Sequence, residues 1–482
     1  MPSSDTLPAH EARAHFARLD SARMGPRHYA AWLLASGGTL LDGFSIFSLG
    51  VAMPLITSRF ALSPLMVGLI GAALVAGAAL GAALGGPAAD RFGRKPAFLL
   101  DMAIIAAGAL VSALADAPQW VLFGQLLIGI GIGIDFPVSA SYVSETVPKD
   151  ARSRMVVATI ALQSVGMLLG AAVAIVTLRQ WGSATDWRWI VGATGIGAGL
   201  FLVLRLWLPE SPRWLIEHGR GPEAARVVVG FAPHAGSPAS MPLHAPTPAP
   251  EDAAKEERSG GLALLFSPAY RTRTLLASVP WFLMDIATYG VGLFTPVILA
   301  AMHFASSAKG SLAAELADAQ GTAAIDLFLL IGFLIALWAV PRFGRIHMQV
   351  VGFAGMTLGM LVLLFAVSTG GDAAARVPLV FAGFVLFNLA MNAGPNATTF
   401  TLAPELFPTR VRASASGFAA ATAKVGATAG IFVLPQVKGV WGVAGVLALM
   451  AAISALGALI TAFLAREIRE IPEGRGLEDA AT

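Results

Sequence analysis

Apolar residues in this chain form long unbroken runs, separated by short polar stretches that carry most of the charge. The runs lie at about 30–56, 65–89, 97–114, 118–146, 153–178, 187–208, 272–302, 320–340, 346–368, 376–402, 412–437 and 441–465. A bilayer core about 30 Å thick is crossed by about 20 apolar residues of α-helix. Backbone polar groups in lipid must be satisfied within the protein, so the runs are predicted to be helices. A β-barrel would need alternating segments of about ten residues, which this pattern lacks. The expected fold class is an all-α membrane protein with twelve transmembrane helices.

Composition agrees. Hydrophobic residues make up 56% and charged residues 13% of the 482 positions, against about 25% charged in soluble domains. The mean hydropathy is +0.72. This excludes a disordered chain, a nucleic-acid-binding domain and a typical soluble enzyme. Cysteine is absent, which removes disulfides, thiolate metal sites and cysteine nucleophiles. The 52 glycines suit close helix packing in lipid. Residues 1–28 are polar and the first apolar run exceeds a signal h-region, so no cleavable signal is expected.

Lys and Arg set the orientation. With the N-terminus, the even-numbered loops and the C-terminus on one side, that side holds 25 of the 32 basic residues. Both termini are therefore expected to be cytoplasmic, in a multi-pass protein of the plasma membrane. The long polar gap divides the chain into a tail (1–28), a six-helix half (29–208), a central loop (209–271), a second six-helix half (272–465) and a second tail (466–482). Ser211-Pro212 reads as a helix cap and first turn. The Pro-, Ala- and Ser-rich stretch from about Phe231 to Gly261 reads as a disordered linker.

The halves repeat. Asp90-Arg91-Phe92-Gly93-Arg94 follows the second run, and Pro341-Arg342-Phe343-Gly344-Arg345 follows the eighth. Glu145, Pro148, Arg152 and Gly166 recur as Glu405, Pro408, Arg412 and Gly426, at a constant spacing of 260 residues. Two similarly oriented six-helix units imply parallel repeats about an axis along the membrane normal, with a substrate path between them.

With these residues the sequence resembles the major facilitator superfamily. Gly86-Pro87-Ala88-Ala89-Asp90-Arg91-Phe92-Gly93-Arg94-Lys95-Pro96 is similar to its signature loop between helices two and three. Pro209-Glu210-Ser211-Pro212-Arg213-Trp214-Leu215 and Pro404-Glu405-Leu406-Phe407-Pro408-Thr409-Arg410 resemble the sugar-porter branch. The stretch from Trp281 to Gly290, and Gly394-Pro395-Asn396 leading to Lys424, resemble the phosphate:proton symporters. That resemblance implies a cavity surrounded by Asp42, Asp135, Trp281, Asp285 and Tyr289, with Gln163, Asn396 and Lys424 as further polar lining. Where the phosphate group has Tyr after the helix-four Asp, this chain has Phe136; where it has Arg ten residues earlier, this chain has Gln125.

The residues carry a reading of their own. An ionisable side chain in mid-membrane costs at least a few kcal/mol and marks a functional site by default. Asp42, Asp285 and Lys424 each lie about 18–20 Å from a span end at 1.5 Å per residue, and Asp135 lies a little deeper. Trp281, Asp285 and Tyr289, four apart, share one helix face. Expected substrate contacts are thus Trp281, Asp285, Tyr289, Gln163, Asn396, Lys424 and Phe136. Expected proton carriers are Asp42, Asp135 and Asp285. Asp90, Arg91, Arg94, Glu145, Arg152, Glu405 and Arg412, at span ends, suit charge networks that close the inner gate. Gly129, Gly131 and Gly133 resemble a phosphate loop, but sit mid-helix without a following Lys-Ser/Thr and read as packing glycines.

No nucleotide motif, metal cluster or catalytic triad is visible, so neither an enzyme nor a cofactor is expected. The reading is a monomeric secondary transporter working by alternating access on a small polar solute, with protons as the coupled ion. Inorganic phosphate is favoured; a sugar or an organic acid is the alternative, and a non-transporting receptor stands behind both.

Overall fold

The computed structural model describes residues 9–181, 183, 185–233, 262–301, 312–368 and 373–467. Most of the expected disordered linker lies outside the described residues. In chain order the helices are α1 (Ala9–Asp20), α2 (Pro26–Ala35), α3 (Gly37–Phe60), α4 (Pro64–Phe92), α5 (Arg94–Ala113), α6 (Pro118–Thr146), α7 (Lys149–Gln180), α8 (Trp187–Arg205), α9 (Pro212–Glu217) and α10 (Gly221–Phe231). After them come α11 (Leu262–Leu265), α12 (Arg271–Ala301), α13 (Leu312–Phe343), α14 (Arg345–Ser368), α15 (Ala373–Ala393), α16 (Pro395–Glu405) and α17 (Thr409–Glu467). Among the described residues, nine helical stretches are long and apolar enough to cross a membrane. The other expected crossings fall in α12, α13 and the first part of α17. The result is the expected twelve-helix arrangement.

Three breaks refine the predicted spans, each with a local cause. The first span divides at Ser36, just before Gly37-Gly38. The tenth divides at Gly394, where Pro395 has no N–H to continue the ladder. The last two join without a loop, turning at Gly442, whose φ of 67° suits glycine. Ser211 caps α9 as expected, accepting from the Trp214 N–H at 3.3 Å.

Outer helices show a lipid-facing stripe. On α8 and just beyond it, Ile196, Leu200, Val203 and Trp207 are exposed at helical spacing. Inner helices lack one: α6 is buried without interruption from Gly131 to Thr146. Small residues permit this closeness. A Cβ on Gly129 would stand 2.0 Å from the Leu74 carbonyl, and one on Gly133 2.1 Å from that of Ala78, so the glycine run packs α6 on α4. Gly166 and Gly426 do the same job in each repeat: a Cβ would stand 1.9 Å from the Leu40 carbonyl or 2.4 Å from that of Phe282. The seventh helix of the chain therefore meets α3 as α17 meets α12.

Candidate functional site

Between α12 and α17 a buried cation faces a carboxylate. Lys424 Nζ donates to Asp285 Oδ2 at 3.2 Å and to the Tyr289 hydroxyl at 3.1 Å. Asp285 is also hydrogen-bonded by Trp281, so the three residues expected on one face do converge. The ammonium lies 5.3 Å from the Phe136 ring centroid and 5.0 Å from that of Tyr289, within cation–π range. Phe400 meets Phe136 and Trp281 edge-on, at 6.3 and 6.2 Å, and links α6, α16 and α12 around the cation.

Asp42 lies on the opposite wall and accepts from Gln163 Nε2 at 2.5 Å. Asp42, Tyr289 and Lys424 line a cavity closed on its other sides by Ile46, Leu74, Val75, Ala78 and Ile132. It offers about 10 Å³ to a water centre, the room of about one water. In this conformation the site is contracted, and a solute needs the walls to part. Asn396 donates to Asn392 Oδ1 at 2.8 Å, one turn earlier across the Gly394-Pro395 break.

At the end of the bundle that carries α1, α9 and α10, the span-end charges form a second cluster. Glu145 takes a two-pronged contact from Arg94, at 2.9 and 3.1 Å, and a third bond from Arg412 at 3.0 Å. All three side chains are fully buried. Asp90 pairs with Arg94 at 3.1 Å and accepts from the Ser414 N–H and hydroxyl, both at 2.7 Å. Helices α4, α5 and α6 are thus tied to the start of α17. The repeat-equivalent pair, Arg345 with Glu405, also forms, at 2.8 Å through NH2. The symmetry ends there. Arg152 bonds Asp20 at 2.5 Å, and Arg213 bonds the same oxygen at 2.7 Å. Arg91 stays exposed over the Phe92 ring.

Burial pushes the Asp20 carboxyl up, but Arg213 and Arg152 outweigh it and hold it below its ordinary value. Glu210 accepts from the backbone N–H groups of Arg94, Lys95 and Ser211 at 2.9, 3.1 and 2.8 Å. It thereby closes the N-terminus of α5 with a negative charge. Burial raises the Glu210 carboxyl above its ordinary value even against these three donors.

Three buried partners, Asp101, Arg205 and Asp20, were not among the expected site residues. Asp135 does not reach the Lys424 pocket; it bonds Arg205 NH2 at 2.6 Å, and Arg205 NH1 holds Asp101 at 2.8 Å. Asp101 and Arg205 are ionisable groups inside or at the end of apolar runs, and that alone was the signal to find them. Asp20, in the N-terminal tail, had no such signal. Gln125, where the resembling family has Arg, makes only a neutral bond to Ser112 at 3.3 Å.

The family model described as "Sugar (and other) transporter" matches residues 31–473. The chain is 30% identical to the repressible high-affinity phosphate permease of Neurospora crassa, over 88% of this chain and 80% of the permease. It is 25% identical to the arabinose-proton symporter of Bacillus subtilis, over 79% and 80% of the two chains. Its fold matches the solved major facilitator superfamily proton:xylose symporter XylE bound to 6-bromo-6-deoxy-D-glucose. The TM-score is 0.75 and the identity 20%, covering 94% of this chain and 98% of that one.

Proposed function

The chain belongs to the sugar (and other) transporter family, and on that premise we propose that it is a proton-coupled symporter of a small anion, inorganic phosphate first. The family is one of membrane transporters, not enzymes. The observation that carries the choice of an anion is Lys424, a buried ammonium at a contracted cavity that donates to the Tyr289 hydroxyl on the same wall. A cation held dry among aromatic rings is suited to a charged oxyanion, because removing water strengthens its field. The 30% identical phosphate permease supports the same reading.

In the proposed cycle Asp285 carries a proton when cargo is bound. A phosphate monoanion beside an ionised carboxylate in a low-dielectric pocket is repelled. A protonated Asp285 instead donates to a phosphate oxygen, and Lys424, released from Asp285, balances the remaining charge. Loss of the proton toward the cytoplasm restores repulsion and expels the anion. Asp42 and Asp135 serve as the relay. On this reading the Glu145–Arg94–Arg412 and Asp90–Ser414 contacts close the inner gate, both termini are cytoplasmic, and the protein works as a monomer in the plasma membrane.

Sugar is the second reading. Asp42 with Gln163 offers a neutralisable pair that hydroxyl groups can engage, and the arabinose-proton symporter is a relative. The test is uptake of labelled phosphate, glucose and a small carboxylate by proteoliposomes, with and without an inward proton gradient. Phosphate accumulation that follows the gradient is expected. Glucose accumulation with no phosphate flux makes Asp285 a hydroxyl acceptor and replaces the anion reading.

A further inference from the structure

The two halves do not close their inner ends alike. Glu145, in the last turn of α6, takes both prongs of Arg94 and a third bond from Arg412 of the other half. Its repeat counterpart Glu405, the last residue of α16, takes both prongs of Arg345, through NH2 at 2.8 Å and through Nε. Among the described residues no third donor reaches Glu405.

The place that Arg412 fills on Glu145 belongs, by the repeat, to Arg152 on Glu405. The positions are alike in the fold. Arg152 stands fourth in α7 as Arg412 stands fourth in α17, and α7 packs against α16 as α17 packs against α6. Yet Arg152 turns the other way. Its NH2 bonds Asp20 Oδ1 at 2.5 Å, and its Nε is buried without an acceptor. A guanidinium fork holds a carboxylate best with two parallel N–H bonds, and here only one of them is made.

Helix α1 is what holds Arg152. Its Leu19 is buried, and its Phe16 ring centroid lies 4.8 Å from the Arg213 guanidinium. Arg213 bonds the same Asp20 oxygen at 2.7 Å. Arg18 donates to the Ala232 carbonyl through Nε and NH2, at 3.1 and 2.9 Å, and ties α1 to the end of α10. All these anchors lie in the first half or the central loop, so they keep Arg152 on its own side of the interface.

We propose that α1 is a latch on the inner gate. Docked, its Asp20 withholds Arg152 from Glu405 and leaves the second of two symmetric ion pairs between the halves unmade. Undocked, it frees Arg152 to make that pair and lock the gate shut. This rests on the reading of the Glu145–Arg412 end as the inner gate. Asp20 passes into water with α1, so its release strands no buried charge. A docked α1 leaves one bridging pair to break in each cycle, and its release slows transport. Arg152 acts as a positioning residue and touches no cargo.

The test uses the full chain in proteoliposomes, with one reporter thiol near the pocket floor labelled from the cytoplasmic side. Asp20→Ala frees Arg152 and should slow labelling about fivefold or more, an ordinary coupling between two sites. In a Glu405→Gln background the same substitution should change nothing, because the second pair cannot form. Arg213→Gln, which loosens α1 from its other anchor, should act in the same direction, and it decides alone if Asp20→Ala does not fold. Faster or unchanged labelling overturns the latch, and so does a slowing that persists with Glu405→Gln. Arg412→Ala, measured alongside, separates the latch from the gate reading. Faster labelling in Arg412→Ala with no Glu405-dependent effect of Asp20→Ala keeps the gate and discards the latch. A Glu405-dependent slowing with no effect of Arg412→Ala keeps the latch and discards the Glu145 contact as the gate.

Discussion

Arg412 donates to Glu145 Oε1 at 3.0 Å with both side chains fully out of solvent, although 267 positions separate them in the chain. The same carboxylate is already held two-pronged by Arg94. One glutamate thus joins the two repeats, and opening this end of the bundle has to break a buried ion pair.

Arg412→Ala should therefore open the inner gate. Removing one member of a buried pair costs about 3–5 kcal/mol in the state that contains it, which shifts the population toward the state that lacks it. The chain has no native cysteine, so a single reporter thiol near the floor of the pocket reads access cleanly. Labelling from the cytoplasmic side is expected to rise. Equal labelling of variant and parent from both sides would show that the contact does not gate.

Lys424 and Asp285 should behave as a pair in stability. Lys424→Met leaves Asp285 buried without its cation and is expected to lower thermal stability by about 3–5 kcal/mol. Adding Asp285→Asn should restore most of the loss, since the remaining charge goes with it. A thermal-unfolding double-mutant cycle in detergent checks this; strictly additive losses would mean that the two residues do not depend on each other.

Gly43→Ala should separate α3 from α7. The new methyl would stand 1.9 Å from the Gln163 carbonyl oxygen, a backbone atom that cannot swing aside. Overpacking of this kind costs about 1–3 kcal/mol. Because Gln163 bonds Asp42, weaker substrate binding should accompany the lower melting temperature. An unchanged melting temperature would contradict the close approach.

Asp20 makes the docking of α1 sensitive to acid. Arg213 and Arg152 hold its native pKa below the ordinary 3.8 despite burial. A group with a depressed native pKa contributes stability above its ordinary value and loses it as pH falls through the native one. Protection of α1 against hydrogen exchange should thus be constant at neutral pH and fall below about pH 4. Asp20→Asn should show the weaker protection at every pH; a variant that keeps the acid-dependent loss would assign it to another group.

The sequence by itself determined the twelve helices, the close-packing role of the glycines, the repeat-equivalent pairs and the ionisable residues within the spans. These are local or periodic signals. A run of about 20 apolar residues is a helix in lipid wherever it sits, and the repetition of the two halves makes Arg345 meet Glu405 as Arg94 meets Glu145. The face shared by Trp281, Asp285 and Tyr289 was legible for the same reason: four-residue spacing is fixed within one helix. Only the tertiary structure decided which charge meets which. Asp135 turned to Arg205 and Asp101 instead of the central pocket, and Arg152 turned to Asp20 and broke the symmetry with Arg412. Partners across helices depend on how closely two backbones approach and on which break leaves carbonyls unbonded, as after α2. Neither quantity is written in the spacing of residues along a single helix.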